Sequence, residues 1–346
     1  MKKQPFISVI VPVYNGGKFL PKCLDALFAS NCYAFEVIVV DDGSTDDSAE
    51  IARQKRARML STSHSQSGPA AARNLAAQTA IGDILLFVDA DVVVKTDTLS
   101  KVAAIFRHQT EISALFGSYD DAPAELNFLS QYRNLLHHFV HQNSNPQAST
   151  FWAGLGAIRR DVFLGVGGFD CEQFAVPSIE DIELGARLRT NGHRILLAKE
   201  IQAQHLKKWQ IGSMLRTDIF CRAVPWSKLI LTSQGLINDM NLKTNDRLSA
   251  MLVGLSIALV PIIFWQPYLS ILLAAFLLTV LILNRKIFGF FRQKKGVLFA
   301  AKAFPWQLLY FFYSGATFVF CWFRYALPLI LGFGKRAEIG RIGHTN

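Results

Sequence analysis

The sequence predicts an α/β domain built on a doubly wound, mostly parallel sheet flanked by helices, followed by an α-helical membrane region. Two observations carry the first part. Short β-branched runs alternate with segments of helical periodicity, and polar clusters fall where those runs end. A third observation carries the second part: beyond about residue 245, charged breaks give way to long apolar stretches. The chain has 346 residues, 51% of them hydrophobic, enough for one large domain or two smaller ones.

Residues 6–13 form a continuous apolar run followed by Asn15-Gly16-Gly17, so a buried strand and a turn are predicted there. Residues 18–30 carry apolar side chains at helical spacing. A second strand covers 36–40 and stops at Asp41-Asp42-Gly43-Ser44, and a helix follows over 45–58 with acidic residues in its first turn. Residues 68–80 read as a further helix, and 83–88 as a strand ending at Asp89-Ala90-Asp91. Beyond these come a His- and aromatic-rich helix over 124–141, a Gly-rich stretch over 151–168, a charged helix over 178–189 and a short strand over 195–198. Residues 211–237 are amphipathic, with Arg222, Trp226 and Lys228 among apolar residues, as in a helix lying on a membrane surface.

Residues 248–264 and 268–284 each approach the roughly 17–25 residues that cross a bilayer. Between them Trp265-Gln266-Pro267-Tyr268 is an uncharged turn with aromatics suited to the interface. The basic segment 285–302 fits the cytoplasmic side, which makes the two stretches a hairpin. Residues 306–333 contain Arg324 and Pro328 and admit two readings, a single crossing or a re-entrant pair. The expected organisation is a soluble domain over 1–210, amphipathic helices over 211–247, and membrane helices with a basic tail over 248–346.

The net charge is +10, and the cations gather around the hydrophobic tail. That placement favours a membrane surface as partner over nucleic acid. The five cysteines are scattered, odd in number and without C-x-x-C spacing, so a reducing compartment is expected. The apolar run at 6–13 is too short for a signal peptide, which places the first domain in the cytosol. Nothing in the sequence speaks to oligomeric state.

Asp89 and Asp91 close an apolar strand one residue apart. Both can reach a hard divalent cation, which keeps waters and binds substrate phosphates, or they are simply solvated aspartates. Asp42 ends the neighbouring strand, placed to accept hydrogen bonds from a base or ribose, while Ser44 or Thr45 can cap the next helix. Tyr14 can stack on a base. Arg73 follows a Gly-Pro turn into a small-residue helix and offers a cation to phosphate or base, or else stands on a tight helix–sheet contact. Ser178-x-x-Asp181 has the spacing of a capping box.

In order and spacing, residues 7–15, 37–46, 68–74 and 83–91 resemble the family 2 glycosyltransferases of GT-A fold. Residues 154–168 and Ser178-Ile179-Glu180-Asp181 resemble that family's acceptor half, so the likeness spans about 5–210. The resemblance implies an inverting transferase that takes a sugar from a nucleotide diphosphate sugar, a UDP-sugar in the common case, with Mg²⁺ or Mn²⁺. The expected acceptor is a hydroxyl of a lipid or lipid-linked glycan at the cytoplasmic face of the inner (plasma) membrane.

It further implies that Pro12, Tyr14, Asn15, Asp42, Arg73 and Asp89 hold the donor, and that Asp91 binds the metal with Asp89 and His205 beside it. Asp181 would be the general base, with Glu180, Trp152 and Gly154 facing the acceptor. Lys207, Lys208 and Arg216 either contact diphosphate or form a basic face near lipid. His137, His138 and His141 admit a metal reading, but a polar helix face near the acceptor is the preferred one. The Q-x-x-R-W signature of processive synthases is absent, which argues against processive synthesis.

The runner-up is transfer to a polyprenyl phosphate, which needs no base, so Glu180-Asp181 counts against it. A phospho-acceptor or phosphatase needs a nucleophilic Asp at an early strand end, where this chain has Tyr14-Asn15. A non-catalytic nucleotide-binding membrane scaffold fits poorly with intact Asp91 and Asp181.

Overall fold

The computed structural model describes residues 5–32, 34–64, 66–234 and 237–327. The chain divides into two compact units, Met1–Gln210 and Ile211–Asn346.

The strands of the first unit are β1 (Ile7–Val13), β2 (Phe35–Asp41), β3 (Arg58–Ser61), β4 (Ile84–Val88), β5 (Val92–Val94), β6 (Ile112–Tyr119), β7 (Leu155–Arg159) and β8 (Arg194–His205). Its helices are α1 (Leu20–Phe28), α2 (Ser48–Gln54), α3 (Gly68–Thr79), α4 (Thr98–His108), α5 (Phe128–Gln142), α6 (Arg160–Gly165) and α7 (Glu180–Thr190). The strands form one sheet in the order β3-β2-β1-β4-β7-β6-β8-β5.

The α/β fold is as the alternation predicts, and the sheet is mixed. The β3-β2-β1-β4 half is parallel; β7 runs antiparallel to both β4 and β6, and β5 runs antiparallel to β8. β1 and β4 are buried on both faces, which is why they read as unbroken apolar runs. On one face Val9, Val11, Leu86 and Val88 pack with Leu20, Leu24 and Leu27 of α1 and Leu99, Val102 and Phe106 of α4.

Three elements depart from the sequence expectation. The helix expected over 45–58 ends at Gln54, and the chain turns into β3, whose half-exposed Arg-Met-Leu-Ser carries little apolar signal. The strand expected over 195–198 runs on as the full β8, because the chain stays extended through a register shift at 198–201 that takes up Lys199 and Glu200, and pairing resumes at Gln202. The third departure is the start of α7: its N-cap is Ile179, with no side-chain cap, so Ser178 and Asp181 do not form a capping box.

The second unit is helical. α8 (Ile211–Arg216) and α9 (Val224–Leu229) flank a π-helical stretch, and α10 (Thr244–Ile263), α11 (Ser270–Leu283), α12 (Arg285–Lys295) and α13 (Val297–Cys321) follow. Leu252 and Val253 of α10, Val280 of α11 and Phe311 of α13 form a small buried cluster. Asn284, closing α11, donates to Ser249 Oγ of α10 at 2.9 Å. Among the described residues α10 alone is long and apolar enough to cross a bilayer; α11 and α12 qualify only as a pair, bent by 67°. Of the segment 306–333, residues through Cys321 lie in α13, whose helix begins upstream at Val297. Residues 328–333 fall outside the described residues.

Candidate active site

The polar clusters gather at the carboxyl ends of β1, β2 and β4. β4 leaves β1 after Ile10, whereas β2 follows β1 through Val13. Pro12, which has no N–H to give, therefore lies where only the β2 side of the strand is paired. The two strands part beyond that point, as they do at the switch points where α/β sheets bind ligands.

Tyr14 emerges there 45% exposed, and its hydroxyl accepts a hydrogen bond from Gln66 Nε2 at 2.8 Å. Asn15 has a positive φ of 50°, which Asn tolerates better than most residues. Its backbone N–H donates to Ser44 Oγ, and its side-chain oxygen accepts from Thr45 N at 2.8 Å, so the loops after β1 and β2 are tied together. Ser44 and Thr45 are thereby used between loops and do not cap α2, whose N-cap is Asp47.

Asp42 faces inward. Its carboxylate accepts from Ser67 N, Gly68 N and Thr62 Oγ1, each at 2.8 Å, and it is buried. The first N–H groups of a helix have no partner within it and carry partial positive charge, so the α3 N-terminus draws this carboxylate in. Gly68 is required at that junction: its φ is +87°, and a Cβ would stand 2.6 Å from Ala175 O.

Arg73 also differs from the picture of a free cation awaiting a phosphate. It is buried, its guanidinium donating to Asp89 Oδ1 at 2.7 Å and Glu180 Oε1 at 3.0 Å, with Phe169 under its face at 5.5 Å. One rigid fork thus joins the end of β4 to the start of α7. Glu180 is held from its other oxygen by Ser178 N at 3.0 Å.

Asp181, next along α7, points the other way. Its Oδ2 accepts from Ala153 N at 3.1 Å and its Oδ1 from Ile182 N at 2.8 Å. Burial, reinforced by the charge of Glu180, pushes its pKa up to about 7. The segment bearing Ala153 is held close by small residues. Trp152 folds over Gly154, where a Cβ would meet the indole at 2.5 Å, and Gly185 of α7 lies against the backbone of Thr150 and Phe151.

Asp91 and His205, far apart in sequence, meet through β5 and β8. Val92 pairs with His205, and Leu206 N donates to Asp91 O at 2.9 Å. Their side chains face each other with His205 Nε2 3.4 Å from Asp91 Oδ2. Burial works against the Asp91 carboxylate, but His205 and Lys207 outweigh it and hold its pKa below the usual range. His205 stacks on Tyr119, the rings 4.2 Å apart and 11° from parallel, and Trp152 meets Tyr119 edge-on at 4.8 Å. His141 Nδ1 lies 3.0 Å from Gly117 O and His138 Nδ1 2.8 Å from Tyr119 O. A carbonyl only accepts, so both Nδ1 atoms carry a proton.

The donor set suits a hard or borderline divalent ion: a carboxylate and an imidazole face one another, and Asp89 lies two residues from Asp91. Among the described residues no group of three or more His, Cys, Asp and Glu side chains is placed to hold a metal. An ion there would complete its shell with water and ligand oxygens, as Mg²⁺ and Mn²⁺ do with phosphates.

Three contributors are given no role by the sequence: Tyr119, on a strand that no motif marks; Ala153, which acts through its backbone; and Asn74, which closes the 68–74 segment. Asn74 both accepts from Phe169 N at 2.9 Å and donates to Phe169 O at 2.8 Å, and so fixes the ring beneath Arg73.

Residues 8–166 match the model of the family described as Glycosyl transferase family 2. An uncharacterized glycosyltransferase of Haemophilus influenzae is 37% identical over 121 residues, 34% of this chain and 48% of that protein. The chain thus spans about half the length of that relative. In architecture the chain is similar to the mannosyltransferase PcManGT from Pyrobaculum calidifontis, solved with GDP-Man and Mn²⁺, at a TM-score of 0.55 and 18% identity, covering 93% of this chain and 88% of that one. It is also similar to residues 1–349 of TarS from S. aureus, solved with UDP-GlcNAc, at 0.53 and 18%, covering 93% and 92%. Those likenesses give the fold as GT-A-like.

Proposed function

We propose, on the premise that residues 8–166 carry a glycosyl transferase family 2 domain, that the chain transfers a sugar from a nucleoside diphosphate sugar to a hydroxyl with inversion at the anomeric carbon. The observation that carries this reading is Asp181. Its carboxylate is oriented by two backbone N–H groups and its pKa lies at about 7, where a carboxylate is a useful base at neutral pH.

In this reading Asp181 accepts the acceptor's hydroxyl proton as its oxygen attacks opposite the leaving diphosphate. Tyr14 stacks on the nucleobase, while Asn15 and Asp42 set the shape of the loops around it. Pro12 fixes the strand end from which Tyr14 projects. Asp91 and His205, with Asp89 beside them, would hold Mg²⁺ or Mn²⁺; when bound, the ion neutralises charge on the diphosphate. The Mn²⁺ and GDP-Man bound by the mannosyltransferase of similar fold support a divalent metal in general. Arg73 keeps β4 and α7 in register, so that donor and base keep a fixed spacing. Trp152, Gly154 and Glu180 shape the acceptor side.

The acceptor is proposed to be a lipid or lipid-linked glycan at the cytoplasmic face of the plasma membrane, with α10 and α11 as a membrane hairpin and 211–247 at the surface. The length and mean hydropathy of α10, 20 residues and 1.7, support a bilayer crossing by that helix.

The test is a screen of the purified chain against UDP- and GDP-linked sugars with Mg²⁺ or Mn²⁺. Nucleoside diphosphate should be released with one donor, stop in chelator, return on adding metal, and be lost in Asp91→Asn. Turnover that persists in chelator would remove the metal from the reading. No turnover of any donor would leave the domain a nucleotide-binding scaffold.

A further inference from the structure

α12 has two unlike faces. Ile287, Phe288 and Phe291 are buried, with Phe288 5.7 Å from the Phe304 ring and Phe291 5.8 Å from Phe299, so this face is consumed by α13. Arg285, Lys286 and Arg292 lie on the opposite side, Lys294 and Lys295 close the helix, and all five are exposed. At its end Gly296 turns the chain with φ +87°, and Val297 and Leu298 follow 68% and 78% exposed. Cations and bare aliphatic side chains thus share one corner. α12 also departs from α11 at 67°, so a bilayer crossed by α11 would have α12 leaving along its surface.

No acidic residue occurs between Asp246 and Glu338, a stretch that holds every cation of α12 together with Lys302. The exposed cations Arg285, Lys286, Arg292 and Lys295 thus have no carboxylate near them in sequence, and the stretch is positive throughout. A nucleic acid or an acidic protein would account for the cations but not for Val297 and Leu298 standing bare beside them. A lipid headgroup layer accounts for both, taking cations at phosphate depth and aliphatic side chains just beneath.

We infer that the cationic face of α12, with Val297 and Leu298, is a binding surface for anionic phospholipid headgroups, and that α12 lies in the headgroup layer. This rests on the membrane reading of α10 and α11 given above. The surface prefers phosphatidylglycerol-like over zwitterionic lipids, and added salt weakens the preference.

The experiment reconstitutes the full chain into phosphatidylcholine vesicles holding a minor fraction of phosphatidylglycerol, with spin-labelled phosphatidylglycerol or phosphatidylcholine as probe. Flotation after a carbonate wash reports integration, and the motionally restricted fraction of each probe reports lipid preference. The wild-type chain should float and restrict phosphatidylglycerol at least threefold more than phosphatidylcholine. Arg285→Gln, Lys286→Gln, Arg292→Gln and Lys295→Gln together should leave flotation and phosphatidylcholine restriction unchanged and bring the ratio near one. A wild-type chain that floats but restricts both probes equally overturns the α12 surface and leaves the membrane reading standing. A chain that does not float overturns both. A ratio unchanged by the fourfold variant assigns the preference to another part of the chain and overturns the proposal.

Discussion

At the scale of single residues, Asp181 offers the sharpest handle, because protonation and proposed role can be read on the same group. A base acts in its ionised form, so transfer should rise about tenfold per pH unit below about 7 and level off above it. Asp181→Asn should lower the plateau by about 10²–10⁴-fold and abolish that limb, while nucleotide affinity stays near wild type. Stability runs the opposite way. The folded carboxyl keeps its proton up to about pH 7, whereas an unfolded aspartate releases it near its ordinary 3.8. Its contribution is thus fully present at low pH and is lost as pH rises through that window. Melting curves from pH 5 to 8 should show Asp181→Asn gaining on wild type as pH increases; a mutant that loses ground instead would remove burial as the cause. Arg73 illustrates the limit of reading residues singly. Its Gly-Pro-small-residue setting announces a cation near a helix start, but whether it faces a ligand or two carboxylates depends on Glu180, more than a hundred residues downstream.

At the scale of elements, what could be read from sequence divides along the sheet. β1, β2 and β4 are buried on both faces and pair in parallel, so their apolar runs stand out. β3 and β5 are short edge strands, and β6 is broken by register shifts against β8, so none leaves a clear periodic signal. Asp89, Asp91 and Asp181 could be picked from the letters because each lies at an element end next to its motif. The juxtaposition of Asp91 with His205 is implied only by the resemblance, since no local pattern marks it and it is made through the β5–β8 ladder. The approach of α7 to the 150–154 segment is also a property of elements, and it is testable at Gly185. A Cβ there would run into Phe151 N and stand 2.7 Å from Thr150 C, both backbone positions that cannot rotate away. Gly185→Ala should cost about 1–3 kcal/mol in urea unfolding. It should also displace Ala153 N from Asp181 and so shift the pH limb of transfer; an unaltered limb would mean that the segment absorbs the methyl elsewhere.

At the scale of the whole molecule, the proposed arrangement predicts which side of the membrane each part meets. With the native cysteines replaced and Gln293→Cys introduced on α12, an impermeant thiol reagent should label the chain in inverted vesicles and not in intact cells. Labelling from outside would reverse the hairpin. Finally, the sheet order bears on synthesis. β5 leaves the ribosome early, but its partner β8 follows about a hundred residues later, an interval of roughly 5–20 s at ordinary elongation rates. During that interval Asp91 waits without its imidazole, and α7 has yet to bring Asp181. A nascent chain therefore completes its reactive constellation only when nearly all of the first unit has been translated. On the proposed function, unfinished or prematurely terminated products would lack the means to waste activated sugar.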